Sequence, residues 1–146
     1  MSLTAPRTPR GNSILFVCSG NTCRSPMAEA IARKSAGGQL IHLQSAGLKA
    51  NTDDPAAADA VETMRKRGID LRAHRSRHVS KVDLSRFDAV VAMSPQVAKE
   101  LQELLPPGER RIVTWDVPDP FGKGAAAYEA TAAKLEGLVA ALLRTD

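Results

Sequence analysis

Aromatic residues are scarce, three Phe, one Trp and one Tyr in 146 residues, and that scarcity removes one class of function. Single-stranded nucleic acid is held by rings that stack on bases, interleaved with basic side chains. A formal net charge of +4 without such rings does not supply this, so no nucleic-acid partner is expected. Cysteine is rarer still: Cys18 and Cys23 are too few and too close together for the disulfide framework of a small secreted domain. Met1 to Asn12 lacks the apolar centre of a signal peptide, and the longest apolar runs fall far short of a membrane span. The expectation is a cytoplasmic protein with no membrane partner. The nucleotide-binding pattern of Gly, four residues and Gly-Lys-Ser/Thr occurs nowhere. The three histidines lack clustered ligand spacing, so no metal and no other cofactor is expected.

What remains is an ordinary globular composition, 43% hydrophobic and 25% charged, at a length that fits one domain. Residues 1–12, with Pro6, Pro9 and alternating Thr and Arg, show no periodicity and read as a disordered N-terminal tail; residues 13–146 read as the domain. Positive charge gathers in Arg65-Lys66-Arg67 and from Arg72 to Lys81. That charge fits either a solvated face or a surface that attracts phosphorylated proteins.

Along the chain, strands and helices alternate. Ile14-Leu15-Phe16-Val17 reads as a buried strand, followed by a tight loop and a helix with Ser25 at N-cap and Pro26 at N1, ended by Gly37-Gly38. Leu40 to Gln44 reads as a second strand running into Ser45-Ala46-Gly47. A helix over Pro55 to Lys66 begins at Asp53 or Asp54 and turns Ala57, Val61 and Met64 inward. Ser80 to Arg86 holds one helical turn, Ala89 to Met93 a third strand, and Ser94-Pro95 opens a helix to about Leu105. Arg111 to Trp115 is a fourth strand, Asp116 to Gly124 a loop, and Ala127 to Leu143 a closing helix. This order predicts an α/β fold, a doubly wound parallel four-stranded sheet with helices on both faces. Ligands of such sheets bind at the carboxyl ends of strands, where Cys18, Ser45 and Asp119 fall.

The first loop carries the chemistry. A strand end meeting a helix N-terminus aims backbone N–H groups and a positive dipole end at one point, which suits an anion. Here the loop begins with a thiol, Cys18, and ends with a guanidinium, Arg24, with five residues between. Dipole, amides and Arg24 favour the thiolate, and the Ser25 hydroxyl can donate to its sulfur, which makes Cys18 a nucleophile. The planar fork of Arg24 suits two phosphoryl oxygens. The ligand predicted is a phosphate ester or amide. Its leaving atom needs a proton, and Asp119, stiffened by Pro118 and Pro120, is the candidate donor, with Asp116 as fallback. Taken alone, Asp119-Pro120 reads more readily as a turn than as an acid site.

Cys18 to Pro26 resembles the phosphate loop of the low-molecular-weight protein tyrosine phosphatases, which open near their N-terminus with Cys, five residues, Arg, Ser and Pro. The likeness runs from Ile14 to about Leu143. It implies hydrolysis of phosphorylated protein side chains through a phosphocysteine at Cys18, with Arg24 on the phosphoryl group. Asp119-Pro120-Phe121 matches the family's acid loop. Phosphate, or another oxyanion, would be held by Ser19, Gly20, Asn21, Thr22, Cys23, Arg24 and Ser25, with Phe121 beside the substrate. Asn21, Ser25, Ser45 and His74 match a polar network that supports the loop.

Thr22 bears on the substrate. Tyrosine phosphatases of the family usually carry Ile there, whereas its arginine phosphatases carry Thr, and Phe121-Gly122 resembles the arginine branch as well. The resemblance therefore places phosphoarginine ahead of phosphotyrosine, with a tyrosine phosphatase of the same mechanism as the alternative. Arsenate reductases resembling this family need further cysteines, and none follows Cys23. A non-catalytic phosphate-binding module would dispense with thiol or acid, and both are present. Cys23 is open to two readings, a small buried side chain or a redox partner for Cys18.

Overall fold

Ser13–Cys18 is buried at every position and forms β1, the strand about which the sheet is built. The computed structural model describes residues 13–108 and 111–144; the tail expected over 1–12 lies outside them. β1 pairs in parallel on both sides, with β2 (His42–Gly47) and with β3 (Ala89–Ala92), and β3 pairs with β4 (Ile112–Thr114). The strand order β2-β1-β3-β4 makes the doubly wound parallel sheet that the alternating pattern predicted.

A strand with both faces covered has apolar residues throughout, and in β1 the two faces separate by parity. Ile14, Phe16 and Cys18 join one core with α1 (Arg24–Ala36), α2 (Ala58–Arg65) and α4 (Ala125–Leu143). Leu15 and Val17 join the other, with α3 (Pro95–Leu104) and the short 3₁₀ turns at Val79–Lys81 and Leu84–Arg86. Cys18 thus ends β1 on the side where α1 begins. The order reverses at β1, since the chain leaves it towards β2 and returns on its other side as β3, which opens a crevice beyond the strand ends.

The structure moves three expected boundaries. Ser25 is not the N-cap: Cys23 takes that place, the first helical bond runs from Met27 N to Cys23 O, and Ser25 lies in the first turn. Its hydroxyl is committed elsewhere, as described below. α2 starts at Ala58 rather than beside Asp53, because the backbone ahead of it pairs with a distant segment: Asp53 N donates to Ser76 O, and Ser76 N to Asp54 O. β2 begins at His42, leaving Leu40 89% exposed, so Ser45 sits inside the strand opposite Phe16 rather than beyond its end.

β4 delivers the loop that carries Asp119. Trp115 N and Val117 N donate to Ala92 O and Met93 O, which extends the β3 pairing past the strand and carries the chain across the crevice towards Asp119. Among the described residues, no helix is long and apolar enough to cross a membrane.

Candidate active site

The loop from Cys18 to Arg24 wraps a single point because its carbonyls are tied outwards. Cys18 O accepts from Leu48 N at 3.0 Å, Ser19 O from Lys49 N at 2.9 Å, and Thr22 O from Ala57 N at 2.9 Å. Asn21 O meets His74 Nε2 at 2.7 Å. A carbonyl only accepts, so Nε2 carries the proton and His74 is the donor. Peptide planarity turns the next N–H opposite to each bound C=O, which points the N–H groups of Ser19, Gly20, Thr22 and Cys23 inwards. This set of donors forms an anion cradle.

Asn21 holds the loop in its turn. Its φ of 58° lies in the left-handed region, at a cost of about 1–2 kcal/mol for an ordinary residue. Three side-chain bonds offset it: Oδ1 accepts from Arg77 N at 2.9 Å, while Nδ2 donates to Ser25 Oγ at 2.9 Å and Ser45 Oγ at 3.0 Å. Because Asn21 already donates to Ser25 Oγ, the Ser25 proton goes to Cys18 Sγ, 2.9 Å away, in preference to Ala46 O at the long distance of 3.5 Å. Asn21 N also donates to that sulfur at 3.2 Å. Two donors therefore converge on Cys18 Sγ.

Gly47, opposite Cys18 in the sheet, is the close approach that makes room for the loop. A Cβ there would press on the Ser19 carbonyl oxygen and lie 3.0 Å from Asn21 N. Gly47→Ala is therefore expected to cost about 1–3 kcal/mol through overpacking against rigid backbone. Thermal unfolding with and without inorganic phosphate measures it. A variant with unchanged stability and phosphate affinity would contradict the close fit.

Arg24 is 7% exposed; Nη1 donates to Val117 O at 3.0 Å, and Nη2 lies 3.8 Å from Asp119 Oδ2. The Asp119 side chain is half exposed, and its Oδ1 accepts from Phe121 N at 3.1 Å. An ion pair this long with an exposed partner holds Asp119 only weakly, which leaves its carboxyl able to turn to a bound group. Cys18, Gly20, Thr22, Cys23, Arg24, Asp119 and Phe121 line a cavity of about 240 Å³. Asn21, Ser25 and Ser45 are buried, and they, Ser19 and His74 are not among the residues that line it. Asp116 is exposed and does not line the cavity.

The two cysteines differ in surroundings. Cys23 Sγ shares a hydrogen bond with Tyr128 Oη at 3.1 Å, and burial pushes its thiol up from the ordinary value. Burial pushes Tyr128 up as well, so both groups stay protonated at neutral pH.

The family model described as "Low molecular weight phosphotyrosine protein phosphatase" matches residues 13–145. The chain belongs to that family. The low-molecular-weight phosphatase is 36% identical over 123 residues to the "Probable low molecular weight protein-tyrosine-phosphatase EpsP" of Ralstonia nicotianae, covering 80% of this chain and 83% of the relative. It is 34% identical over 137 residues to the "Protein-arginine-phosphatase" of Geobacillus stearothermophilus, covering 86% and 90%. A solved low molecular weight protein tyrosine phosphatase from T. tengcongensis superposes with a TM-score of 0.83 at 37% identity, covering 88% of this chain and 95% of its own. As a member of this family the chain is a protein phosphatase, a hydrolase.

Several residues of this phosphatase site were not singled out by the sequence. Gly47, the Arg77 amide and the Val117 carbonyl act through backbone, and Tyr128 approaches Cys23 from α4. Glu29 accepts from Ser45 Oγ at 2.7 Å. The one available signal was spacing, because Glu29 follows Ser25 by four residues and so shares its side of α1. Among the described residues, no group of three His, Cys, Asp or Glu is placed to hold a metal ion.

Proposed function

We propose that the protein hydrolyses phosphoarginine side chains in proteins, with Cys18 as nucleophile, Arg24 on the phosphoryl group and Asp119 as general acid and base. The observation that carries the chemistry is the cradle itself, inward N–H groups closed around a sulfur that accepts from Ser25 and Asn21. Catalysis of phosphoryl transfer is mostly positioning and charge stabilisation, which is what such a cradle supplies.

In the first step Cys18 Sγ attacks phosphorus, an S–P bond forms, and the bond to the leaving nitrogen or oxygen breaks. The Asp119 carboxyl proton passes to that leaving atom. The three phosphoryl oxygens receive the N–H groups of Ser19, Gly20, Thr22 and Cys23 and the guanidinium of Arg24. In the second step the ionised Asp119 takes a proton from water, the water oxygen attacks phosphorus, and the S–P bond breaks to return thiolate and inorganic phosphate.

Support for phosphoarginine comes from Thr22 and Asp119 in the lining, where a hydroxyl and a carboxylate suit a guanidinium better than a phenyl ring. Relatives named as arginine phosphatases favour it too. The second reading is phosphotyrosine: Phe121 stands 65% exposed at the cavity, where it can lie against an aryl ring, and other relatives are named as tyrosine phosphatases.

Hydrolysis of a phosphoarginine and a phosphotyrosine peptide by reduced protein, repeated with Thr22→Ile, separates the two. The expected result is a wild-type preference for phosphoarginine in kcat/KM that falls by about tenfold in the variant, the scale of one lost polar contact. A preference for phosphotyrosine unchanged by the substitution would keep the mechanism and overturn the substrate.

A further inference from the structure

Asn21 reaches the sulfur through Ser25, and its second amide hydrogen goes the other way, to Ser45. Its orientation is not free to flip, because the Arg77 amide can only donate and so holds Oδ1. Both Nδ2 hydrogens are then committed outwards from the amide, and each serine hydroxyl that accepts one must place its own proton elsewhere. Ser25 has the sulfur. Ser45, 3% exposed in β2, donates to Glu29 Oε1 on α1 at 2.7 Å. The Glu29 side chain is itself 20% exposed, and its other oxygen pairs with Arg33, whose guanidinium also donates to Leu43 O.

We propose that Glu29 is a positioning residue of the phosphate loop: by taking the Ser45 proton it holds Ser45 as the acceptor that fixes Asn21, and Asn21 fixes the loop. The proposal deepens the phosphatase reading and rests on it for the ligand. A carboxylate strengthens the hydroxyl it accepts from, since a charged acceptor polarises Ser45 Oγ and tightens the bond from Asn21. Without an acceptor at position 29 a buried hydroxyl proton is left unsatisfied, and the lowest-cost relief is rotation of Ser45 away from Asn21. The left-handed turn at Asn21 then loses one of its three restraints. Glu29 does not itself line the cavity, so its effect reaches the ligand through the residues that support the loop.

The test is a double-mutant cycle on inorganic phosphate binding, measured by calorimetry on reduced protein. Glu29→Ala is expected to weaken phosphate binding by roughly 5- to 20-fold, the scale of an unsatisfied buried partner. In a Ser45→Ala background the same substitution is expected to change affinity by less than about twofold, because the two residues act as a unit. Glu29→Gln, whose carbonyl still accepts from Ser45, is expected to stay within about threefold of wild type. Arg33→Ala removes the ion pair but not the acceptor and is expected to stay within about twofold. If Glu29→Ala does not yield folded protein, Glu29→Met, which keeps the stem and removes the acceptor, takes its place in the cycle. Unchanged affinity in Glu29→Ala, an equal loss in the Ser45→Ala background, or a Gln variant as weak as Ala would each overturn the assignment. Failure of the phosphatase reading looks different: wild type would bind phosphate but turn over neither phosphopeptide, while the cycle would be unaffected.

Discussion

Cys18→Ser is expected to lower turnover by about 10⁴-fold or more while inorganic phosphate still binds within a few-fold of wild type. The two halves of that result come from different parts of the site. Turnover needs the thiolate, because a serine hydroxyl in the same place stays protonated and is a far weaker nucleophile. Binding needs the cradle, and its outward ties from Leu48, Lys49, Ala57 and His74 do not involve the sulfur. Steady-state kinetics and phosphate calorimetry on the one variant check both halves. Turnover near wild type would remove Cys18 from the mechanism.

Asp119→Ala is expected to act selectively. For phosphopeptides, whose leaving atoms must be protonated, kcat falls by roughly 10²–10⁴-fold, the range of a positioned general acid. For an activated aryl phosphate, whose leaving group departs as a stable anion, the first step is nearly unaffected. The half-exposed carboxyl, held by the Phe121 amide and a 3.8 Å approach to Arg24, has the freedom to meet either a nitrogen or an oxygen leaving atom. Loss of its charge beside Arg24 also leaves phosphate affinity intact or improved, so KM should not rise in step with the fall in kcat. Equal losses on both classes of substrate in kcat/KM, which reports the first step and not the shared hydrolysis of the phosphocysteine, would mean that Asp119 is not the acid.

How much of this was legible in the sequence is seen by comparing two Ser-Pro pairs. Ser94-Pro95 reads as an N-cap with Pro at N1, and Ser94 Oγ does accept from Val97 N at 3.2 Å. Ser25-Pro26 carries the same signature, yet α1 starts earlier and Ser25 caps nothing, because Asn21 and Cys18 occupy its hydroxyl. A local rule holds where nothing distant competes for the side chain. The α2 boundary fails for the same reason: Asp53 and Asp54 look like caps, but their backbone belongs to the pairing with Ser76. Strands β1 and β3 were readable because an unbroken apolar run fits a strand buried on both faces. Glu29, Gly47 and Tyr128 were not, since each matters only through a partner from another element.

The account turns on a covalent intermediate at one sulfur. The direct measurement is rapid acid quench of the Asp119→Ala protein during turnover of an activated aryl phosphate, followed by mass spectrometry of the peptide carrying Cys18 and Cys23. That variant forms the intermediate readily but lacks the base that activates water against it, so the phosphocysteine accumulates. The predicted result is one phosphoryl group, on Cys18. No covalent adduct during active turnover, or a phosphoryl group on Cys23 or any other residue, would contradict the account.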